Sequence, residues 1–304
     1  MTAAPTSEKL NRVQQFMAHL ALTKPRIVEL LLTTAIPTMF LAAQGLPTLK
    51  VVVAVLVGGT LAAGAANTFN SVYDRDIDAL MHRTEHRPAA MGTISVRAGI
   101  IQGVILSLGS AVALLWLANF ISALLAVLAI LLYVVGYTIL LKRRTSQNIV
   151  WGGAAGCMPV LIAWSAVTGS LTWTPIVLFM IIFFWTPPHY WPLAIKYRDD
   201  YERAGVPMLP VVKPVTTVTT NIVVYAVVMV LFSLALILVA PMGWVYSIAA
   251  VVLGAAFIFQ TVVLYRVARA PSTEVLVPAM RLFHGSITYL ALLFLAVAID
   301  PFIG

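Results

Sequence analysis

Long apolar runs separated by polar breaks dominate the chain. Nine runs come close to the ~20 residues that a helix needs to cross hydrocarbon: 27–44, 51–69, 97–117, 121–141, 149–167, 175–194, 217–240, 245–265 and 282–299. The breaks alternate in length. Those at 118–120, 169–174 and 241–244 are tight, while the breaks at the opposite ends of the runs are long and polar. This pattern predicts an all-α fold, a polytopic membrane helical bundle of about nine transmembrane helices. Residues 1–24 form an N-terminal cytoplasmic or interfacial segment, and 25–304 form the bundle domain. In the first segment Leu10, Val13, Met17 and Leu20 share one helical face, as in a helix lying in a membrane interface.

Charge orients the bundle. With the N-terminus in the cytoplasm, all but one of the 19 lysines and arginines fall on inner segments, and only Lys50 faces out. The polar loops, and with them the chemistry, then lie on the cytoplasmic side.

Composition agrees: 61% of residues are hydrophobic and 10% charged, which excludes a soluble domain. The net charge of +8 follows from topology and requires no nucleic acid. The single Cys157 excludes an internal disulfide and a cysteine metal cluster. The first residues lack the apolar core and cleavage site of a secretory signal, and they are not the Arg/Ser-rich extension of a mitochondrial precursor. A bacterial plasma membrane is the expected location.

Residues 67–88, NTFNSVYDRDIDALMHRTEHRP, hold four of the 11 acidic residues. Asn70, Asp74 and Asp78 are spaced by four, which on a helix stacks them on one face. Like charges at that spacing repel, and a cation between them removes the penalty. Mg²⁺ suits this set, because it takes hard oxygen ligands and usually shares its shell with water and substrate phosphates. Arg83 and Arg87 follow, whose guanidinium forks match phosphate. His82 and His86 beside them are phosphate contacts or solvated side chains.

A second polar cluster, KYRDDYERAGVPMLP, follows the sixth run as the first follows the second, in the manner of a pseudo-duplication. A helix there places Lys196, Asp199, Asp200 and Arg203 on one face. Lys142, Arg143 and Arg144 close the fourth run and Lys24-Pro25-Arg26 opens the first. Each is a topology anchor or a contributor to the acidic site. Glu29, just inside the first run, pairs with these cations or faces a polar cavity. WTPPHYW, from Trp185, puts two prolines beside His189 late in the sixth run. The prolines free backbone carbonyls. His189 is a hydrogen-bonded core histidine, a heme ligand or a proton acceptor. His284 at the start of the ninth run offers the same choice.

With both clusters in view, the sequence resembles the UbiA-type intramembrane prenyltransferases from about residue 24 to its end. Asn70-xxx-Asp74-xxx-Asp78 is similar to their first aspartate-rich motif. DRDIDALMHRTEHRP from Asp74, WTPPHYW from Trp185 and DYERAGVPMLPVV from Asp200 resemble the heme-modifying branch. That family's usual second motif, DxxxD, is replaced here, with Tyr197 and Tyr201 standing in the places of its aspartates. The resemblance implies transfer of a farnesyl group from farnesyl diphosphate to a vinyl group of heme B, with addition of water, giving heme O. It implies Mg²⁺ held by Asn70, Asp74 and Asp78, and Asp199 and Asp200 at the second motif. The diphosphate would meet Arg83, Arg87, Lys196, Arg26, Lys142 and Arg143. The heme would meet His189, His284 and Tyr197, with His189 reaching iron or a propionate. The product would pass to a heme A synthase or a terminal oxidase.

Two other readings stand beside this one. The acceptor is an aromatic ring of the quinone type, which the Pro-Pro-His stretch and the tyrosine-bearing second cluster disfavour. Or the chain is a secondary transporter, which should carry its charges near mid-span rather than at helix ends.

Overall fold

A helix closes its own backbone hydrogen bonds, so runs this apolar fold as helices where no water can serve them. The computed structural model describes residues 11–271 and 274–303. Nine helices among the described residues are long and apolar enough to span a membrane. The chain begins with α1 (Arg12–Leu22) and the spans α2 (Pro25–Ala43) and α3 (Leu49–Tyr73), followed by the single turn α4 (Arg75–Asp78). Next come the spans α5 (Val96–Leu117), α6 (Phe120–Leu141), α7 (Asn148–Thr168) and α8 (Trp173–Lys196). Two short helices, α9 (Arg198–Arg203) and α10 (Leu209–Val212), precede the last spans, α11 (Val215–Val239), α12 (Trp244–Val267) and α13 (Leu276–Ile303).

All nine expected spans are present, and three depart from expectation where it matters. α3 runs on past residue 69, so Asn70 stays helical. α13 starts earlier than residue 282 and runs through Asp300, a buried carboxylate that accepts from the backbone N–H of Tyr246 at 2.9 Å and from that of Gly243. That bond closes the otherwise open first turn of α12. The second half of α6, Leu132–Leu141, is wound as a π-helix, with Lys142 N bonded five residues back to Tyr137 O at 2.8 Å. The wider turn rephases the helix, a distortion often found at functional sites.

α7 is the inner helix, with 67% of its span window buried against 17% for α5. It packs on α2, α6 and α8; α8 in turn packs on α11 and α13, and α13 closes on α2 and α12. α5 lies close on α3 because Gly99 and Gly103 admit Val72 and Phe69. A Cβ on those glycines would stand 2.3 and 2.6 Å from these side chains. Such small-residue contacts hold helices together where no hydrophobic drive exists between them.

α1 lies outside the spans. Asn11 caps it, accepting from Gln14 N at 2.8 Å. Its Ala18 and Leu22 face the bundle, while Val13, Phe16, Met17 and Leu20 form an exposed apolar stripe. That is the face expected of an interfacial helix; Leu10 lies outside the described residues.

Candidate active site

The end of α3 carries the acidic residues inward. Asn70, Asp74 and Asp78 are 3%, 0% and 1% exposed, although two of them are carboxylates. The helix breaks at Asp74 and restarts in α4, so the three residues remain on one side of a nearly continuous axis. Asn70 Nδ2 donates to Asp74 Oδ2 at 2.6 Å.

Buried carboxylates require counter-charge, and it arrives from three other segments. Lys142, at the end of the π-helical stretch, pairs with Asp74. Arg143 Nη2 lies 3.3 Å from Asp74 Oδ1 and 2.7 Å from Asp76 Oδ1. The loop after α4 folds back so that Arg87 Nη1 meets Asp78 Oδ2 at 2.7 Å. Lys24 Nζ donates to Asn70 Oδ1 at 2.6 Å. Thr138, also in the π-helical stretch, accepts from Asn70 Nδ2 at 3.1 Å. The cations outnumber the carboxylates, so the cluster is electrostatically suited to a further anion.

Lys24 has φ +52°, in the left-handed region that residues other than glycine rarely adopt. Strain of this kind persists where surrounding structure imposes it, and it clusters at functional sites. Here it lets the chain turn from α1 into α2 while aiming the lysine at α3. Burial, then the charges of Arg87 and Lys142, lower the Lys24 ammonium to about 7. At Asp76 the Arg143 hydrogen bond outweighs partial burial and holds the carboxyl down at about 2.

The second cluster reaches the first through tyrosines. Tyr201 is 3% exposed and shares a 2.8 Å hydrogen bond with Tyr190. Arg83 Nη2 donates to Tyr201 Oη at 3.4 Å and lies over the Tyr197 ring. Arg203 pairs with Asp200 and touches His82 Nε2 at 3.2 Å. Asp200 is buried in that pair, whereas Asp199 is exposed. The two aspartates therefore do not share a face. α8 ends at Lys196, Tyr197 caps it, and α9 starts a new direction. Lys196 is exposed, with its ammonium 5.3 Å from the Tyr197 ring.

An apolar cavity lies between α2, α3, α6 and α7. Its walls include Leu31, Ala62, Ala66, Ile130 and Ile162, and Asn67 and Tyr133 mark one end. Asn67 is one turn before Asn70, so this end of the cavity lies one helical turn from the acidic cluster.

His189 lies elsewhere, between α8 and α13. Its ring is stacked on Trp185 at 4.2 Å and on Phe283 at 4.8 Å, with Nδ1 2.7 Å from Ser286 Oγ. His284 is exposed, with Nδ1 2.7 Å from Met280 O.

The structure thus brings together Asn70, Asp74, Asp78, Arg87, Lys142 and Arg143, and sets Arg83 and Tyr197 beside them. Arg26 and Glu29 are exposed and make no ion pair among the described residues. At the start of α2 it is Lys24 that enters the site, because the left-handed turn points the two cations of Lys24-Pro25-Arg26 apart. His82 and His86 are exposed and adjoin Glu85. Thr138, Tyr190 and Ser286 carry no charge and sit in apolar runs, so spacing and composition alone do not single them out.

The residues fit a divalent cation that is shared with a substrate. Asp78 Oδ1 is buried without a hydrogen-bond partner, an acceptor that a cation would satisfy. Among the described residues no three His, Cys, Asp or Glu side chains converge on one point. A metal here would need other oxygens besides those of the protein, which is the usual habit of Mg²⁺ with phosphates.

Residues 30–287 match the profile of the UbiA prenyltransferase family. The protoheme IX farnesyltransferase of Kineococcus radiotolerans is 55% identical over 306 aligned residues, covering 96% of this chain and 90% of its own length. Among solved structures, a digeranylgeranylglyceryl phosphate synthase superposes with TM-score 0.77 at 16% identity, over 94% of this chain and 98% of that one. A UbiA homolog from Archaeoglobus fulgidus bound to GPP and Mg²⁺ superposes with TM-score 0.65 at 20% identity, over 92% and 99%. At these identities the two structures establish a shared fold.

Proposed function

This chain belongs to the UbiA prenyltransferase family, and from that premise we propose that it transfers the farnesyl group of farnesyl diphosphate to a vinyl group of heme B, with addition of water, giving heme O. The observation that carries this reading is the apolar cavity whose end lies one helical turn from a buried cluster of two carboxylates and several cations. An amphiphile with a long apolar chain and a diphosphate head fits both parts. The name of the relative from Kineococcus radiotolerans, protoheme IX farnesyltransferase, supports a farnesyl donor and a protoheme acceptor.

Asn70, Asp74 and Asp78 would hold Mg²⁺, which neutralises diphosphate charge when bound. Lys24, Arg87, Lys142 and Arg143, paired here with Asn70 and the carboxylates, take phosphate oxygens when the head group arrives. Arg83, in the loop after α4, is steadied on Tyr197 and Tyr201 of the second cluster. These groups stabilise charge that grows on the leaving group as its C–O bond breaks, where fixed dipoles and cations act most strongly. The diphosphate leaves with the electron pair. The vinyl carbon then forms a C–C bond to the allylic carbon, and water adds to the resulting cation and loses a proton. The Ala-, Leu- and Ile-rich walls keep water from the first cation. On this reading His189 contacts the heme, Asp200 holds Arg203 in place, and the aqueous side of the site is the cytoplasmic face of a bacterial plasma membrane, as the lysine and arginine distribution favours. The product would be taken up by a heme A synthase or a terminal oxidase.

The test is a turnover assay with protein in detergent, heme B, farnesyl diphosphate and Mg²⁺, with products read by mass spectrometry. A heme carrying one farnesyl group and one water, absent with EDTA, supports the reading. A prenylated aromatic acid in place of a heme product would keep the acidic site and overturn the acceptor.

A further inference from the structure

The hydrogen bonds around His189 determine which of its nitrogens is free. Ser286 has one hydroxyl hydrogen. Its Oγ lies 2.6 Å from Phe283 O, a carbonyl that can only accept, so the hydrogen goes there. What Ser286 presents to His189 Nδ1 at 2.7 Å is therefore a lone pair. Nδ1 must carry the ring proton, and in the neutral ring Nε2 is left bare. Nε2 makes no hydrogen bond among the described residues, and it is not among the atoms sealed in the interior. The ring is held between Trp185 and Phe283, tilted 12° and 25° to them. Ser286 is itself anchored, since Trp185 Nε1 donates to its carbonyl at 2.8 Å.

We propose that His189 ligates the iron of the acceptor porphyrin through Nε2, and that Ser286 is a positioning residue that fixes the tautomer. The inference rests on the heme acceptor proposed above. Imidazoles that bind metals almost always donate their other N–H to an oxygen, which orients the ring and raises its basicity. A propionate would instead need an N–H at Nε2, which this network withholds. The carboxylates have another partner. Lys196 lies seven residues on, on the same face of α8 and about 10 Å along its axis. It is exposed and has no ion pair among the described residues. His284 is also tied through Nδ1 and also has a bare Nε2. Its ring, however, is exposed and meets only Phe283 edge-on, at 5.2 Å and 76°.

The test titrates the full chain in detergent with ferric heme B and, separately, with iron-free protoporphyrin IX, following the Soret band. His189→Ala should abolish the histidine-ligated spectrum and weaken heme binding tenfold or more, with protoporphyrin binding unchanged. Ser286→Ala should weaken heme binding about tenfold, and Ser286→Thr, which keeps the hydroxyl, should restore it. Retained Mg²⁺-dependent binding of farnesyl diphosphate certifies that each variant is folded. Equal loss of heme and protoporphyrin in His189→Ala would overturn iron ligation, as would loss of the ligated spectrum in His284→Ala instead. If the unmodified protein binds farnesyl diphosphate and neither porphyrin, the heme acceptor itself falls, and this inference falls with it.

Discussion

Lys24 Nζ donates a 2.6 Å hydrogen bond to Asn70 Oδ1, across 46 positions of sequence, from a backbone held at φ +52°. The contact ties the entrance of the first span to the exit of the second. It also fixes the Asn70 amide, whose oxygen faces the lysine and whose nitrogen serves Asp74 and Thr138.

Lys24→Met should therefore weaken use of the prenyl diphosphate. A hydrogen bond to a charged group contributes about 1.5–3 kcal/mol, so kcat/KM should fall roughly ten- to a hundredfold. The ammonium, lowered to about 7 by burial, is charged below that pH and neutral above it. Diphosphate binding favours the charged form, so kcat/KM should decline as pH rises through about 7. The decline should vanish in Lys24→Arg, whose guanidinium stays protonated. A pH–rate profile of the two proteins decides the matter, and identical profiles would remove Lys24 from the site.

Asp74→Ala and Asp78→Ala should both abolish turnover, but their stabilities should differ. Asp74 is met by Lys142, 11% exposed, and by Arg143. Its loss leaves buried charge uncompensated, at a cost of about 3–5 kcal/mol. Asp78 is met by Arg87, which is 28% exposed and can turn to water at smaller cost. Thermal unfolding in detergent, measured beside turnover, should show the larger drop for Asp74→Ala.

Gly59 and Gly156 line the apolar cavity. A Cβ on Gly59 would have Leu32 Cδ2 as its nearest neighbour at 3.9 Å, and one on Gly156 would meet nothing within 4 Å. Gly59→Leu or Gly156→Leu should fill the cavity without breaking the helices, where glycine itself costs about 0.5–1 kcal/mol relative to alanine. Competition between geranyl and farnesyl diphosphate should then shift toward the shorter donor. An unchanged preference would place the prenyl chain elsewhere.

Asp300→Ala should destabilise the protein by about 1.5–3 kcal/mol, because two backbone N–H groups at the start of α12 lose their acceptor. The residue lies at the end of the bundle away from Asp74, so kcat/KM of the remaining folded protein should be unchanged. Unfolding midpoints and initial rates on the same preparation test both halves.

Much of this site was legible because it is anomalous. Carboxylates spaced by four in a 61% hydrophobic chain have few structural reasons to exist, and both Asp74 and Asp78 prove to be buried. The choice between Lys24 and Arg26 was not legible. Both are cations two residues apart at a span entrance, and a backbone dihedral decides which one points inward. Asp199 and Asp200 show the same limit. Helical periodicity groups them with Lys196 and Arg203, but the break at Tyr197 leaves Asp199 exposed and buries Asp200 against Arg203.

Hydropathy by itself determined the number of spans, because bilayer thickness acts on composition and order alone. The spacing of Asn70, Asp74 and Asp78 determined that three polar side chains share one face at the end of a span. Only the tertiary structure decided which counter-charges reach them. The π-helical winding before Lys142, the left-handed turn at Lys24 and the fold-back of Arg87 each depend on helices packed from distant parts of the chain. The same holds for the bare nitrogen of His189, which follows from a serine 97 residues away spending its one hydrogen on Phe283.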